Sequence, residues 1–420
     1  MFENVIGQDD AVGMLKADLG ASCLPPSMLF EGPRLSAKAS AALELGRVLS
    51  CANGAAWNCS CPDCARHRSL SHPDMLLFGP KNLWQEAAAG AELLSRSPGT
   101  ASRYFFVRAV RKLTRRFDAA LYADEEGRLS KALPLVRSLL EGSDACLPGS
   151  STDDEAAKEA HKLLSTYGKL HELLPDSTPV FQIRAMEAWA RQTPMGRAKI
   201  VILEHADRML DASRNALLKI LEEAPPRTTF VLTSSRRQAL IPTILSRVRP
   251  YRFRARSQDA ATAVLERVFR WSDPGARSVE NFLDRYRPES AGHLSAAAVE
   301  FASALLGEWS SRFGGDPAMD RAASDAEGGV RTALAKAAAA SSNFGAGDDA
   351  QAWSFPAFLD EAGSVFARLL READSAEPSM RAAERWAELS RDAIQRHTFF
   401  NLNPVAVAER LAAAMIADRP

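Results

Sequence analysis

The chain has 420 residues, enough for about three domains at roughly 150 residues each. Hydrophobic residues make up 46% and charged residues 25%, ordinary globular usage that excludes a disordered, collagenous or disulfide-stapled protein. Its 52 basic residues balance 52 acidic ones, so any contact with nucleic acid rests on a local patch or on partners.

No apolar run reaches the roughly 18 to 20 residues of a membrane span. The opening Met1-Phe2-Glu3-Asn4-Val5-Ile6-Gly7-Gln8 lacks the basic start and apolar core of a signal peptide, so a cytoplasmic protein without membrane contact is expected. Residues 1–75 read as helix, strand, loop, helix. Pro25-Pro26 ends the first helix, Ser27-Met28-Leu29-Phe30 is a buried strand, and Ala37 to Leu49 is an amphipathic helix behind a loop that begins at Gly32-Pro33. Residues 78–178 break this rhythm and read as a helical insertion, interrupted at Ser97-Pro98-Gly99 and at the polar run 149–154. The alternation then resumes: helix Phe181 to Ala190, strand Ile200 to Leu203, helix Ser213 to Glu223, strand Thr228 to Thr233 and a short helix Leu240 to Leu245. Alternating helices and uninterrupted apolar strands predict an α/β layer around a parallel sheet. From about 256 the pattern is helical to the end, broken at Gly314-Gly315-Asp316-Pro317 and by an Ala/Ser/Gly/Asp-rich tract, 322–350.

Gly32-Pro33-Arg34-Leu35-Ser36-Ala37-Lys38-Ala39-Ser40 stands where a strand turns into a helix, the setting of the phosphate-binding loop GxxxxGK(S/T). Gly32 and Lys38 are in register, but Ala37 replaces the second glycine and Ala39 the hydroxyl that holds Mg²⁺. After the strand at 200–203, Glu204 takes the metal-side position and His205 the water-polarising one. Three positions needed for hydrolysis are altered together, which predicts a decayed ATP site.

Asn215-Ala216-Leu217-Leu218-Lys219-Ile220-Leu221-Glu222-Glu223-Ala224-Pro225-Pro226 closely resembles the NALLKxLEEPP segment of bacterial clamp-loader subunits, with one inserted Ala. Leu232-Thr233-Ser234-Ser235 is similar to that family's first sensor. Ile241-Pro242-Thr243-Ile244-Leu245-Ser246-Arg247-Val248 resembles its LPTILSRC motif, with Val248 in place of Cys. Phe2 with Val5-Ile6-Gly7-Gln8, His72-Pro73-Asp74 and Asn401-Leu402-Asn403-Pro404 resemble its opening, its post-zinc segment and the start of its last collar helix. The resemblance covers 1–75 and 178–255 well, the C-terminal region loosely and 78–178 not at all.

It implies an AAA+ α/β domain over 1–255, with a P-loop NTPase-like parallel sheet carrying helices on both faces. All-α lid (256–315) and collar (316–420) domains follow, within a five-subunit ring. The decayed loop points, within the family, to the delta-prime branch of DNA polymerase III clamp loaders rather than to the gamma/tau ATPase branch. Implied partners are gamma/tau, delta, the sliding clamp and, through the assembled complex, primed DNA. Gly32, Lys38, Glu204 and Thr233 would form a degenerate nucleotide site with vestigial ATP binding. The chain's own polymerase or ATPase activity is not expected; a gamma/tau-type ATPase and an unrelated zinc-bearing AAA+ module are the alternatives.

By the same resemblance Arg247 is an arginine finger acting in trans on a neighbour's ATP site, for which a planar, permanently charged guanidinium suits phosphate oxygens. The bland alternative is a surface arginine in a basic run with Arg249, Arg252 and Arg254. Cys51, Cys59, Cys61 and Cys64 supply enough thiolates for a closed structural Zn²⁺ site. Their C-x₇-C-x-C-x₂-C spacing is tighter than the family's, so His67 or His72 stands as a substitute ligand, and unmetallated thiols are the alternative. Cys23 and Cys146 read as ordinary small apolar residues. In 103–117, Arg108, Arg111, Lys112 and Arg115 share one helical face opposite Phe106, Val110, Leu113 and Phe117. This is the solvated side of an amphipathic helix or, second, a ridge for DNA backbone.

Overall fold

The computed structural model describes residues 1–286 apart from 81–83, 124 and 272–277, and beyond them a smaller set of helical residues, chiefly 296–305, 388–394 and 404–417. The expected break at 314–317, the tract 322–350 apart from Ala333, and Asn401-Leu402-Asn403 lie outside the described residues. The chain divides into two compact units, Met1–Tyr286 and Arg287–Pro420.

Five parallel strands organise the first unit: β1 (Ser27–Glu31), β2 (Met75–Phe78), β3 (Lys199–Leu203), β4 (Thr228–Ser234) and β5 (Arg249–Arg252), in the spatial order β2-β3-β4-β1-β5. β1 to β4 are buried along their whole length, as expected for a sheet covered on both faces. Their side chains alternate between two apolar layers. Leu29, Leu76, Phe78, Val201, Leu203, Phe230 and Leu232 enter one layer; Met28, Phe30, Met75, Leu77, Ile200, Ile202 and Val231 enter the other.

Helices α1 (Asp9–Gly20) and α2 (Lys38–Ser50) close the second layer through Ala11, Leu15, Ala41 and Leu45. After α2 comes the short helix α3 (Pro62–Arg68). Between β2 and β3 run α4 (Trp84–Arg96), α5 (Thr100–Thr114), α6 (Glu126–Ala145), α7 (Asp153–Glu172) and α8 (Val180–Arg191). The polar run at 149–154 is a helix start: Thr152 and Glu155 form a capping box at the head of α7. With α9 (Asp211–Glu222) these helices close the first layer, so the helical segment extends the main core instead of forming one of its own. The short helix α10 (Pro242–Leu245) precedes β5, and α11 (Gln258–Arg267) and α12 (Val279–Asp284) follow it.

β2 and β5 are strands the sequence reading did not assign. Met75-Leu76-Leu77-Phe78 is a short apolar run at the edge of a segment read as helical, and β5 carries Pro250 and two arginines. A proline is tolerated there because β5 lies at the sheet's edge.

In the second unit, Phe301, Phe358, Trp386 and Leu411 meet in one apolar cluster. The helix Pro404–Ala417 contributes Val407, Ala408, Leu411, Ala412 and Met415, a single helical face. Among the described residues, no helix is long and apolar enough to cross a membrane.

Candidate nucleotide and metal sites

The sheet brings Gly32, Glu204 and Thr233 to the carboxyl ends of β1, β3 and β4, the edge where open α/β sheets hold ligands. Gly32 has φ +149°, and a Cβ there would stand 2.1 Å from the Phe253 carbonyl oxygen, so only glycine fits. Further along the loop, Leu35 (φ +56°) and Ala37 (φ +69°) hold left-handed conformations that glycine adopts freely and other residues adopt at a cost of roughly 1–2 kcal/mol each. The path of a phosphate loop survives the loss of its second glycine.

Its interior is filled by the chain itself. The Lys38 ammonium turns back into the loop, donating to the Gly32 carbonyl at 2.7 Å, to the Pro33 carbonyl and to Ser36 Oγ at 3.2 Å. Burial pushes it down to about 8, with Asp207 and Glu204 opposing that shift. Arg256 donates to the Leu35 carbonyl from outside.

On the opposite wall the Glu204 carboxylate is ion-paired with Arg116, both almost fully buried. Thr233 Oγ1 accepts the His205 backbone N–H at 3.2 Å, so the sensor hydroxyl is engaged internally. Burial, with Arg208 and Arg116 nearby, pushes the His205 imidazole down to about 3, leaving it neutral and a poor base at pH 7.

Arg247 lies two residues before β5, at the end of the sheet opposite Gly32. It follows α10 at the surface and donates to Glu222, at 2.7 Å through Nε, and to the Thr243 carbonyl at 2.7 Å. Such a partly exposed ion pair is worth at most about 1 kcal/mol and is readily exchanged for another anion.

The four clustered cysteines converge despite their tight spacing: their sulfurs all lie within 4.8 Å of one another. Sγ of Cys51 is 3.6 Å from that of Cys59 and 4.0 Å from that of Cys61. A tetrahedron with Zn–S of about 2.3 Å has edges of about 3.8 Å, so the donor set fits a closed tetrathiolate site. Backbone N–H groups of Asn53 and Cys64 point at Cys51 Sγ (3.3 Å) and Cys61 Sγ (3.5 Å), and Arg47 donates to Cys64 Sγ at 3.1 Å. These donors offset thiolate charge. The Cys61 thiol is drawn down to about 7, chiefly by the Cys64 N–H.

Neither histidine joins the set. His67 and His72 stack on each other with centroids 4.2 Å apart; His67 Nε2 pairs with Ser50 Oγ at 2.9 Å and His72 Nδ1 accepts the Asp74 N–H. Cys146 is buried as expected, whereas Cys23 is exposed and not part of the core.

A model of the family described as "DNA polymerase III, delta subunit" matches residues 7–129 and 134–257, more than half of the chain. The chain belongs to that family. Among curated proteins it is similar to DNA polymerase III subunit delta' of Bacillus subtilis, 33% identical over 125 residues, which are 29% of this chain and 36% of that protein. The same subunit of Haemophilus influenzae is 34% identical over 95 residues, 22% of this chain and 29% of that one. DNA polymerase III subunit gamma/tau of Mycobacterium tuberculosis is 35% identical over 72 residues, 17% and 12% of the two chains. The matches thus span about a third of the delta' relatives' length. A solved structure of a DNA polymerase III gamma subunit-related protein from Thermotoga maritima aligns over 57% of this chain and 80% of its own, at 18% identity and TM-score 0.24.

The family match runs through the stretch 78–178, broken only at 130–133, which corrects the expectation that 78–178 stands outside the resemblance. With the five-stranded parallel sheet and its helices on both faces, membership of this clamp-loader family identifies the first unit as an AAA+ fold.

The basic face of α5 also differs from expectation: it is neither solvated nor presented to DNA. Arg108 donates to the His67 and Arg68 carbonyls at 3.1 and 3.0 Å, Arg111 to that of Ser69 at 2.6 Å, and Arg115 to those of Leu70 (3.0 Å) and His72. These carbonyls lie in the last turn of α3 and the segment just beyond it, and cations also favour the negative pole of a helix. The arginines therefore fasten the helical segment to the cysteine loop. Arg116, which the sequence reading does not single out, follows them in the turn after α5 but meets a different set of partners, the Gly79 and Pro80 carbonyls and Glu204.

Proposed function

We propose that the chain is a delta-prime-type subunit of the DNA polymerase III clamp loader, a ring member that hydrolyses little or no ATP and supports loading of the sliding clamp onto primed DNA. The observation that carries this reading is the phosphate loop closed on its own lysine, opposite a metal-side carboxylate already paired with Arg116. Magnesium and nucleotide fit these residues poorly. Ala39 offers no hydroxyl, and the Glu204 carboxylate is already paired through Oε2 with Arg116, which competes with a hard cation that demands oxygen ligands.

Gly32, Lys38, Glu204 and Thr233 are then the remnant of a nucleotide site, with ATP binding vestigial. Arg247, at the far end of the sheet from that remnant, serves the ATP site of a neighbouring subunit as an arginine finger. Cys51, Cys59, Cys61 and Cys64 hold a structural Zn²⁺, which when bound cross-links the loop after α2 to α3. In this reading residues 1–255 form the AAA+ domain, 256–315 the lid and 316–420 the collar, and the protein works in the cytoplasm with gamma/tau and delta. The gamma/tau similarity favours a second reading, an ATPase subunit, against which the filled loop argues.

Co-expression with gamma/tau and delta subunits of one species tests the assembly. A stable complex with one copy of this chain is expected; a chain that elutes alone in every combination contradicts the reading.

A further inference from the structure

Arg116 comes from the turn Arg115–Phe117 that ends α5 and has a side chain only 1% exposed. Beyond its ion pair with Glu204, it donates to the Gly79 carbonyl at 2.6 Å and to the Pro80 carbonyl at 2.8 Å. The turn is itself fixed: Phe117 is buried in the main core, and Arg115 is tied to the Leu70 carbonyl and to Asp118 at 2.8 Å. Gly79 allows the close approach, because a Cβ there would meet the Glu204 carbonyl oxygen at 2.6 Å.

We propose that Arg116 is a built-in cation that occupies the metal side of the old nucleotide site and holds divalent cations off Glu204. Its guanidinium neutralises the carboxylate as a metal would. Unlike a metal, it has only donors and no open coordination position, and it is a fixed part of the fold. Loss of metal chemistry is therefore enforced by the helical segment as well as by the loop's missing hydroxyl. This rests on the reading of a non-hydrolysing subunit and adds the residue that enforces it.

Mn²⁺ binding to the zinc-loaded full chain, followed by electron paramagnetic resonance, tests this without using ATP turnover. The unaltered chain and Ala39→Ser, which restores the loop hydroxyl, are expected to bind no Mn²⁺ at this site. Ala39→Ser combined with Arg116→Gln should bind one Mn²⁺ at least about tenfold more tightly, and adding Glu204→Gln should remove it. Glu204-dependent Mn²⁺ binding to Ala39→Ser with Arg116 intact overturns the proposal, as does a folded Arg116→Gln combination that stays metal-free. Removing one partner of a buried pair is strongly destabilising, so the melting temperature of the unaltered chain supplies a second measurement. No change with Mn²⁺ upholds the proposal, and a rise that Glu204→Gln abolishes refutes it. Either result is independent of whether the chain hydrolyses ATP, so the two readings fail separately.

Discussion

Replacing Cys64 by Ser is expected to abolish metal binding by the purified chain and to lower its stability by about 4 kcal/mol or more, in the range reserved for lost metals and disrupted buried networks. Cys64 is fully buried, and its sulfur is where two networks meet. Arg47 reaches it while also pairing with Glu44 and donating to the Ala55 and Ala56 carbonyls at 2.9 and 3.1 Å. Glu44 in turn accepts the Phe2 N–H at 3.1 Å, so the opening segment is secured through the same arginine. On the other side, α3 presents its terminal carbonyls to Arg108, Arg111 and Arg115. If the cluster holds a metal as proposed, its loss removes the charge that gathers the thiolates, α3 loosens, and the buried Arg111 and the half-buried Arg108 and Arg115 lose acceptors, which for a buried group costs about 1–3 kcal/mol. Hydrogen exchange should therefore report faster amide exchange at 62–70 and also at 100–117. A zinc-free chain that keeps full protection over 100–117 would show that the cysteine loop is not what the arginines depend on.

In an assembled loader, Arg247→Ala is expected to slow ATP turnover at the site it serves by a factor on the order of 10³, as for arginine fingers generally, with assembly unchanged. The side chain's present partner, Glu222, is half exposed and lies on α9, so release involves no buried charge. Glu222→Ala supplies the control: it frees the finger without removing it, and turnover should hold or rise. Arg247→Lys should recover only part of the loss, since an ammonium lacks the fork that two phosphate oxygens accept. Steady-state turnover of reconstituted complexes, with subunit content checked on the same samples, reads both effects. Unchanged turnover in Arg247→Ala would make Arg247 a surface arginine and no more.

The three central strands β1, β3 and β4, the decayed loop and the cysteine cluster were legible because each is a local signal. Apolar runs such as Ile200–Leu203 mark buried strands, and Gly32 with Lys38 marks a strand-to-helix turn at fixed spacing. What escaped was everything that depends on a distant partner. The arginines of α5 looked like a solvated face because helical periodicity separates charged from apolar residues without saying what the charges meet. In the fold they meet carbonyls some 40 residues earlier in the chain. The cysteine spacing, one residue shorter at two intervals, raised the prospect of a histidine ligand. The sulfurs nonetheless converge, because Cys61 caps α3 and that first turn brings the Cys64 N–H onto its sulfur. Glu204 was recognised as the metal-side residue, but its pairing with Arg116 spans 88 positions and leaves no trace in either local pattern.

On the proposed reading this chain keeps the frame of an ATP-driven subunit with the nucleotide site closed from within. Phosphate release by the purified, zinc-loaded chain in the presence of Mg²⁺ and ATP tests it most directly. Turnover indistinguishable from the Lys38→Ala variant and from buffer is predicted; steady turnover on the order of one per second, abolished by Lys38→Ala, would contradict it.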